Sequence, residues 1–160
     1  MQAAPSPPTR FDLGLLLIRL MLAVVFLFHG SMKLFGWFGG GGLTGMAEFN
    51  AQIGLPFPMA GAVLAGIAEF AGGLALAVGV AVRWAVPPLV FMMLVASFTA
   101  HRGAFWVADN GMEFTLTLAV FLAALGIMGP GRFTLPWLMS RRQRSGDPAA
   151  TAPGPTRPLE

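Results

Sequence analysis

The chain has 160 residues, of which 56% are hydrophobic and 11% charged, with a net charge of +3. A water-soluble domain carries roughly 25% charged residues, so the composition excludes one and points to a single membrane domain. The absence of cysteine excludes disulfide relays, thiolate catalysis and iron–sulfur ligation, and the basic residues sit at the edges of apolar stretches rather than in a nucleic-acid-binding stripe.

Residues 1–11, rich in Pro and Ala, read as a disordered N-terminus. The first apolar span covers 12–35, with Asp12 as its N-cap. It exceeds the about 7–15 residues of a signal-peptide core, carries Arg19 inside it and lacks a small-x-small cleavage site near Phe28–Gly30, so it reads as a retained span. The glycine run Gly39–Gly42 cannot hold a helix, whereas Met46, Phe49 and Ile53, spaced i, i+3, i+7, predict a short amphipathic helix on the membrane surface. The turn Leu55-Pro56-Phe57-Pro58 launches a second span over 57–82. Arg83 and Trp84 then form a short connection to a third span, 84–101, with Pro87 and Pro88 in its first turn, where a missing N–H costs little. After a polar loop from Arg102 to Gly111, a fourth span covers 112–129 and stops at Gly129-Pro130-Gly131. Residues 140–160 read as a disordered tail.

The expected fold class is therefore all-α: an integral membrane four-helix bundle over 12–139, antiparallel and up-down, with an interfacial helix after the first span. Arg10, Arg83, Arg132, Arg141, Arg142 and Arg144 fall on one side of this arrangement and only Lys33 and Arg102 on the other, which places both termini in the cytoplasm.

A charged side chain at mid-span costs ~2.5–3.5 kcal/mol on insertion scales, so each one needs a partner or a use. Arg19, His29 and Lys33 fall within an arc of roughly 80° on the first span. On the second, Glu69 shares a face with Ala62, Gly66, Gly73 and Ala77, while Val63, Ile67, Phe70, Leu74 and Val78 lie opposite; small residues mark a helix–helix contact in membranes, so Glu69 is expected to point inward. Counted from the span ends, Arg19 lies near the depth of Glu69, and an Arg19–Glu69 structural ion pair is expected. His29, Lys33, His101 and Glu113 fall towards the outer boundary, and together with Glu69 are candidates for ligand binding or proton transfer in a polar cavity inside the bundle. Structural readings compete with this one: the ion pair as a register device, Lys33 snorkelling to the headgroups, and His101 and Glu113 as boundary residues.

Three of these residues, His29, Lys33 and Glu69, lie within segments that resemble a known family. His29-Gly30-Ser31-Met32-Lys33-Leu34-Phe35-Gly36, Gly54-Leu55-Pro56-Phe57-Pro58, Glu69-Phe70-Ala71-Gly72-Gly73-Leu74 continuing to Gly79, and Gly129-Pro130-Gly131-Arg132-Phe133-Thr134-Leu135 are similar, in that order, to the DoxX family of small bacterial membrane proteins. The last segment departs from the family where Pro136 replaces a frequent aspartate. The resemblance implies a four-helix bundle in the bacterial inner membrane. It also implies kinship with membrane subunits of thiosulfate:quinone oxidoreductase and with proteins of oxidative-stress or thiol-redox systems.

Three functions are compatible with this sequence. In the first, the bundle binds a quinone, with His29, Lys33 and Glu69 supplying hydrogen bonds or protons and a redox partner protein supplying electrons. In the second, the polar stripe lines a path in a channel, transporter or assembly subunit, which with so few spans requires a homo-oligomer. In the third, His29 and His101, with Glu113, hold haem or a metal, to which the ten methionines add a soft donor set; against it, methionine is a common apolar filler and no helix carries a histidine pair. No motif for hydrolysis or phosphate binding is present.

Overall fold

The structure, a computed structural model, describes residues 9–145; the segments 1–8 and 146–160, which hold most of the expected disordered ends, lie outside the described residues. The described chain forms helices α1 (Arg10–Phe35), α2 (Gly42–Gln52), α3 (Pro58–Val78), α4 (Val82–Phe98), α5 (Glu113–Met128) and α6 (Leu135–Ser145), with 3-10 turns at Trp37–Gly39 and Val107–Asp109. No strand occurs among the described residues. Helices α1 and α3 are long and apolar enough to cross a membrane; α4 and α5 are apolar but shorter, at 17 and 16 residues.

Helix α1 starts earlier than the sequence suggests. Thr9, not Asp12, is its N-cap: the Thr9 hydroxyl accepts from the Asp12 N–H, and the Asp12 carboxylate accepts from the Thr9 N–H at 2.9 Å. This reciprocal capping box satisfies two backbone donors at the helix start. Helix α3 ends at Val78 because Gly79 and Ala81 both adopt left-handed backbone (φ 72° and 54°), which no helix propagates. Arg83 and Trp84 consequently lie in the first turn of α4 instead of linking two spans, and Pro87 and Pro88 fall inside the helix. Their missing N–H groups deprive the Arg83 and Trp84 carbonyls of intrahelical donors. Helix α6 carries helical structure to Ser145, into the stretch expected to be disordered.

Two helix pairs set the packing. Gly30 of α1 meets Phe70 of α3, Leu34 meets Gly66 and Leu27 meets Gly73, so every step along α1 is matched by an equal step backwards along α3. A Cβ added at Gly30 would sit 2.5 Å from the Phe70 nitrogen; the two backbones touch there, as small residues permit in membrane helices. Helices α4 and α5 run antiparallel by the same criterion: Val86 meets Gly126 and Ser97 meets Thr115. Between the pairs lies one core containing Leu22, Phe26, Leu76, Leu89, Met93 and Leu122. Leu76 is fully buried, filling what the small-residue face of α3 leaves open. Large apolar side chains such as Leu17, Val24, Leu64, Val120 and Ile127 cover the outside, an arrangement suited to lipid.

The glycine contact yields a paired test. Gly30→Ala forces the α1 and α3 backbones apart and is expected to lower stability in detergent by about 1–3 kcal/mol. Gly14→Ala in the same helix, where an added Cβ meets nothing within 4 Å, is expected to raise it by up to about 1 kcal/mol. Thermal unfolding of the two variants side by side checks both signs.

Candidate functional site

Along the α1–α3 contact, Lys33 and Glu69 form an ion pair. Glu69 is buried, with its side chain 3% exposed, and Lys33 retains 19%. The small-residue face of α3 turns Glu69 inward, and the neighbouring Gly66 lets Leu34 and the Lys33 stem pack against its backbone. Taking both charges out of water is costly, and the cost is offset only while the pair stays together.

The expected Arg19–Glu69 pair does not form. Arg19, 1% exposed, donates instead to the carbonyls of Pro130, at 2.6 Å, and Phe133 in the segment between α5 and α6. Gly79 makes room for its head: a Cβ there would lie 2.6 Å from Arg19 Nη1. Nearby, Asp12 accepts from the Arg132 N–H at 3.1 Å, so α1 holds the α5–α6 segment at two points. Depth counted along the spans placed Arg19 opposite Glu69; the register of the α1–α3 contact instead sets Arg19 beside Gly79, at the far end of α3 from Glu69, where two backbone carbonyls are its partners.

Two cavities flank Lys33. The larger, of about 440 Å³, lies between α2, α3 and α4; Glu69 and Lys33 border it, with His101 and Asn50, and the rest of its wall is largely apolar, including Phe49, Leu64 and Phe91. The smaller, of about 260 Å³, is bordered by His29, Met32, Lys33, Met46 and the glycines at 40–42. Lys33, Met46 and Phe49 belong to both walls. Helix α2 is thus no surface helix alone: it packs on α1 and α3, and Asn50, 2% exposed, donates to the Pro58 carbonyl at 2.9 Å.

The structure therefore gathers Lys33, Glu69 and His101 around one cavity and separates the other candidates. His29 is exposed and lines the neighbouring cavity, its ring edge-on to Phe28, so it is not turned into the interior beside Glu69. His101 donates from Nδ1 to the Asn110 carbonyl at 2.9 Å, which leaves Nε2 of the neutral ring as an acceptor. Glu113 borders neither cavity; its carboxylate accepts from the Val107 N–H at 3.1 Å and braces the α4–α5 loop. On α5 Thr117 is exposed and Thr115 is buried, 2.6 Å from Ser97 Oγ. His29 and His101 lie on different cavities, and among the described residues no group of three or more His, Cys, Asp or Glu is arranged to hold a metal.

Asn50, the Ser97–Thr115 contact and the Arg19 carbonyl clamp were missed as partnered groups in the sequence. The first was signalled by a polar residue inside an otherwise apolar helix face. The clamp had no signal of its own, because backbone carbonyls carry no residue identity.

The family model of DoxX matches residues 14–102, from the first turns of α1 through α4 and the ion pair. The chain belongs to the DoxX family. Two relatives come from Escherichia coli K12. Inner membrane protein YqjF is 26% identical over 133 residues, covering 82% of this chain and 95% of the relative. Inner membrane protein YphA is 25% identical over 139 residues, covering 78% and 94%. Both names support a bacterial inner-membrane location for this DoxX-family protein. No solved structure matches it.

A double-mutant cycle tests the ion pair. Glu69→Leu leaves the Lys33 ammonium without its partner and is expected to cost about 3–5 kcal/mol, whereas adding Lys33→Met to Glu69→Leu removes both charges and is expected to restore most of that loss. Unfolding of the two single variants and the double variant in one detergent reads the coupling.

Proposed function

We propose that this DoxX-family protein is the membrane component of a quinone-linked or thiol/oxidative-stress redox system, with the cavity between α2, α3 and α4 as its binding site. The observation that carries the reading is the Lys33–Glu69 pair on the wall of an otherwise largely apolar cavity of about 440 Å³. Small-molecule sites run about 300–1,000 Å³ and combine apolar walls with a few convergent polar groups, and a quinone head asks for that combination. A bound quinone would supply the two-electron, two-proton chemistry. On the protein's side, the Lys33 ammonium donates a hydrogen bond to a carbonyl, Glu69 holds or takes up a proton, and His101, near the cavity rim, exchanges protons with the aqueous side. Leu64, 61% exposed, and Phe91, 59% exposed, also line the cavity, which favours access from the bilayer. Electrons would come from a partner protein, and the chain would act as a homo-oligomer.

In this reading α1, α3, α4 and α5 cross the membrane as an antiparallel four-helix bundle. The 16 residues of α5 rise about 24 Å against a ~30 Å core, and the apolar ends of the adjoining segments complete the crossing. The start of α1, the α5–α6 segment and α6 meet at one end through the Arg19 and Asp12 contacts, and that end carries Arg10, Arg132 and Arg141; the basic-residue bias supports its facing the cytoplasm, with both termini.

Titration of the purified protein with a short-tailed quinone, followed by its thermal unfolding midpoint, is expected to give a saturable rise. Glu69→Gln should weaken the apparent affinity about tenfold or more, the loss of a hydrogen bond involving a charged group, and Ala65→Phe, which fills the cavity, should abolish it. A rise of equal size in Ala65→Phe would reflect partition into the micelle and overturn the assignment.

A further inference from the structure

The arginine-rich end has a cavity of its own, of about 330 Å³, bordered by Leu16 and Arg19 of α1, Ala77 and Val78 of α3, and Trp137 and Leu138 of α6. Val78 is 39% and Leu138 49% exposed, so the cavity is a groove that opens sideways at the membrane edge. Its walls are mostly apolar, yet Arg19 lies in them 1% exposed. The two Nη atoms of Arg19 are bound to carbonyls, its Nε has no hydrogen-bond partner, and no carboxylate among the described residues pairs with it. A full positive charge buried without a counter-ion is expensive. At the lip of the groove the Arg141 guanidinium stacks over Trp137, 5.0 Å from the ring centroid, and the sequence continues with Arg142 and Arg144.

We propose that this groove binds an anionic phospholipid of the leaflet at the arginine-rich end, its acyl chain along Leu16, Val78 and Leu138 and its phosphate beside Arg141. The lipid adds a negative charge at the end of the molecule where no carboxylate among the described residues pairs with Arg19. Basic pockets between helices at a membrane face select acidic headgroups. A neutral lipid would fill the apolar wall but leave the charge uncompensated; free phosphate would meet the charge without covering the wall. The inference rests on the membrane placement of the chain and is independent of the quinone reading.

The test uses the full chain in neutral detergent with phosphatidylglycerol, phosphatidylcholine or inorganic phosphate, reading the unfolding midpoint and the lipid retained in native mass spectrometry. Phosphatidylglycerol is expected to raise the midpoint and to be retained, and the other two to do neither. Arg141→Gln should reduce retention about fivefold, the loss of one basic residue at a membrane surface. Ala77→Phe, which fills the groove and changes no charge, should abolish it; Leu138→Asn, on the exposed surface of α6, should reduce it without threatening the fold. Equal retention of phosphatidylcholine, an effect reproduced by phosphate alone, or undiminished retention in both Ala77→Phe and Leu138→Asn would overturn the proposal.

Discussion

Backbone contact between α1 and α3 is the constraint from which the site follows. Because Gly30, Gly66 and Gly73 carry no Cβ, the two helices approach until their main chains touch, and at that separation a lysine on one reaches a glutamate on the other. With a larger residue at these positions each charge would be stranded in a low-dielectric interior, where an unpaired ion costs several kcal/mol. Helix α2 then folds back over the same pair of helices and closes the space beside the ion pair, with Asn50 satisfied by the Pro58 carbonyl. Close packing, charge pairing and cavity formation are consecutive results of one small-residue seam.

Much of this was legible in the residues. Apolar runs of the right length locate the long helices, and the alternation of small and bulky residues along α3 is enough to turn Glu69 inward. The identity of its partner was not legible. His29 and Lys33 are a turn apart on α1, and four residues rotate a helix by about 400°, leaving them roughly 40° out of line. That offset places Lys33 against Glu69 and His29 on the exposed flank. Depth along a span is a coarse ruler, and it assigned Arg19 to a carboxylate when two main-chain carbonyls on a distant segment were its partners. The boundaries of α3 and α4 were misjudged for a local reason: the left-handed conformation of Ala81 has no signature in an alanine.

The two ends of the molecule solve the problem of a buried charge differently. Near α2, lysine and glutamate neutralise one another. At the other end, Arg19 is held by dipoles, the carbonyls of Pro130 and Phe133, which satisfy its hydrogen-bonding geometry but not its charge. The first arrangement is electrically closed; the second leaves a residual positive field. The family match at 14–102 covers Arg19, Lys33 and Glu69 but stops short of the carbonyls that hold Arg19.

Lys33 stands in the partition between two chambers, bordering both. Its ammonium has one position at a time, so an occupant of either chamber that draws it away from Glu69 alters the electrostatics felt in the other. Thermodynamic reciprocity then requires the second chamber to act back on the first by the same factor. Were both cavities to hold ligands, Lys33, which borders each alongside Met46 and Phe49, would be the charged side chain through which the compartment lined by the glycine loop and the one lined by α4 are coupled.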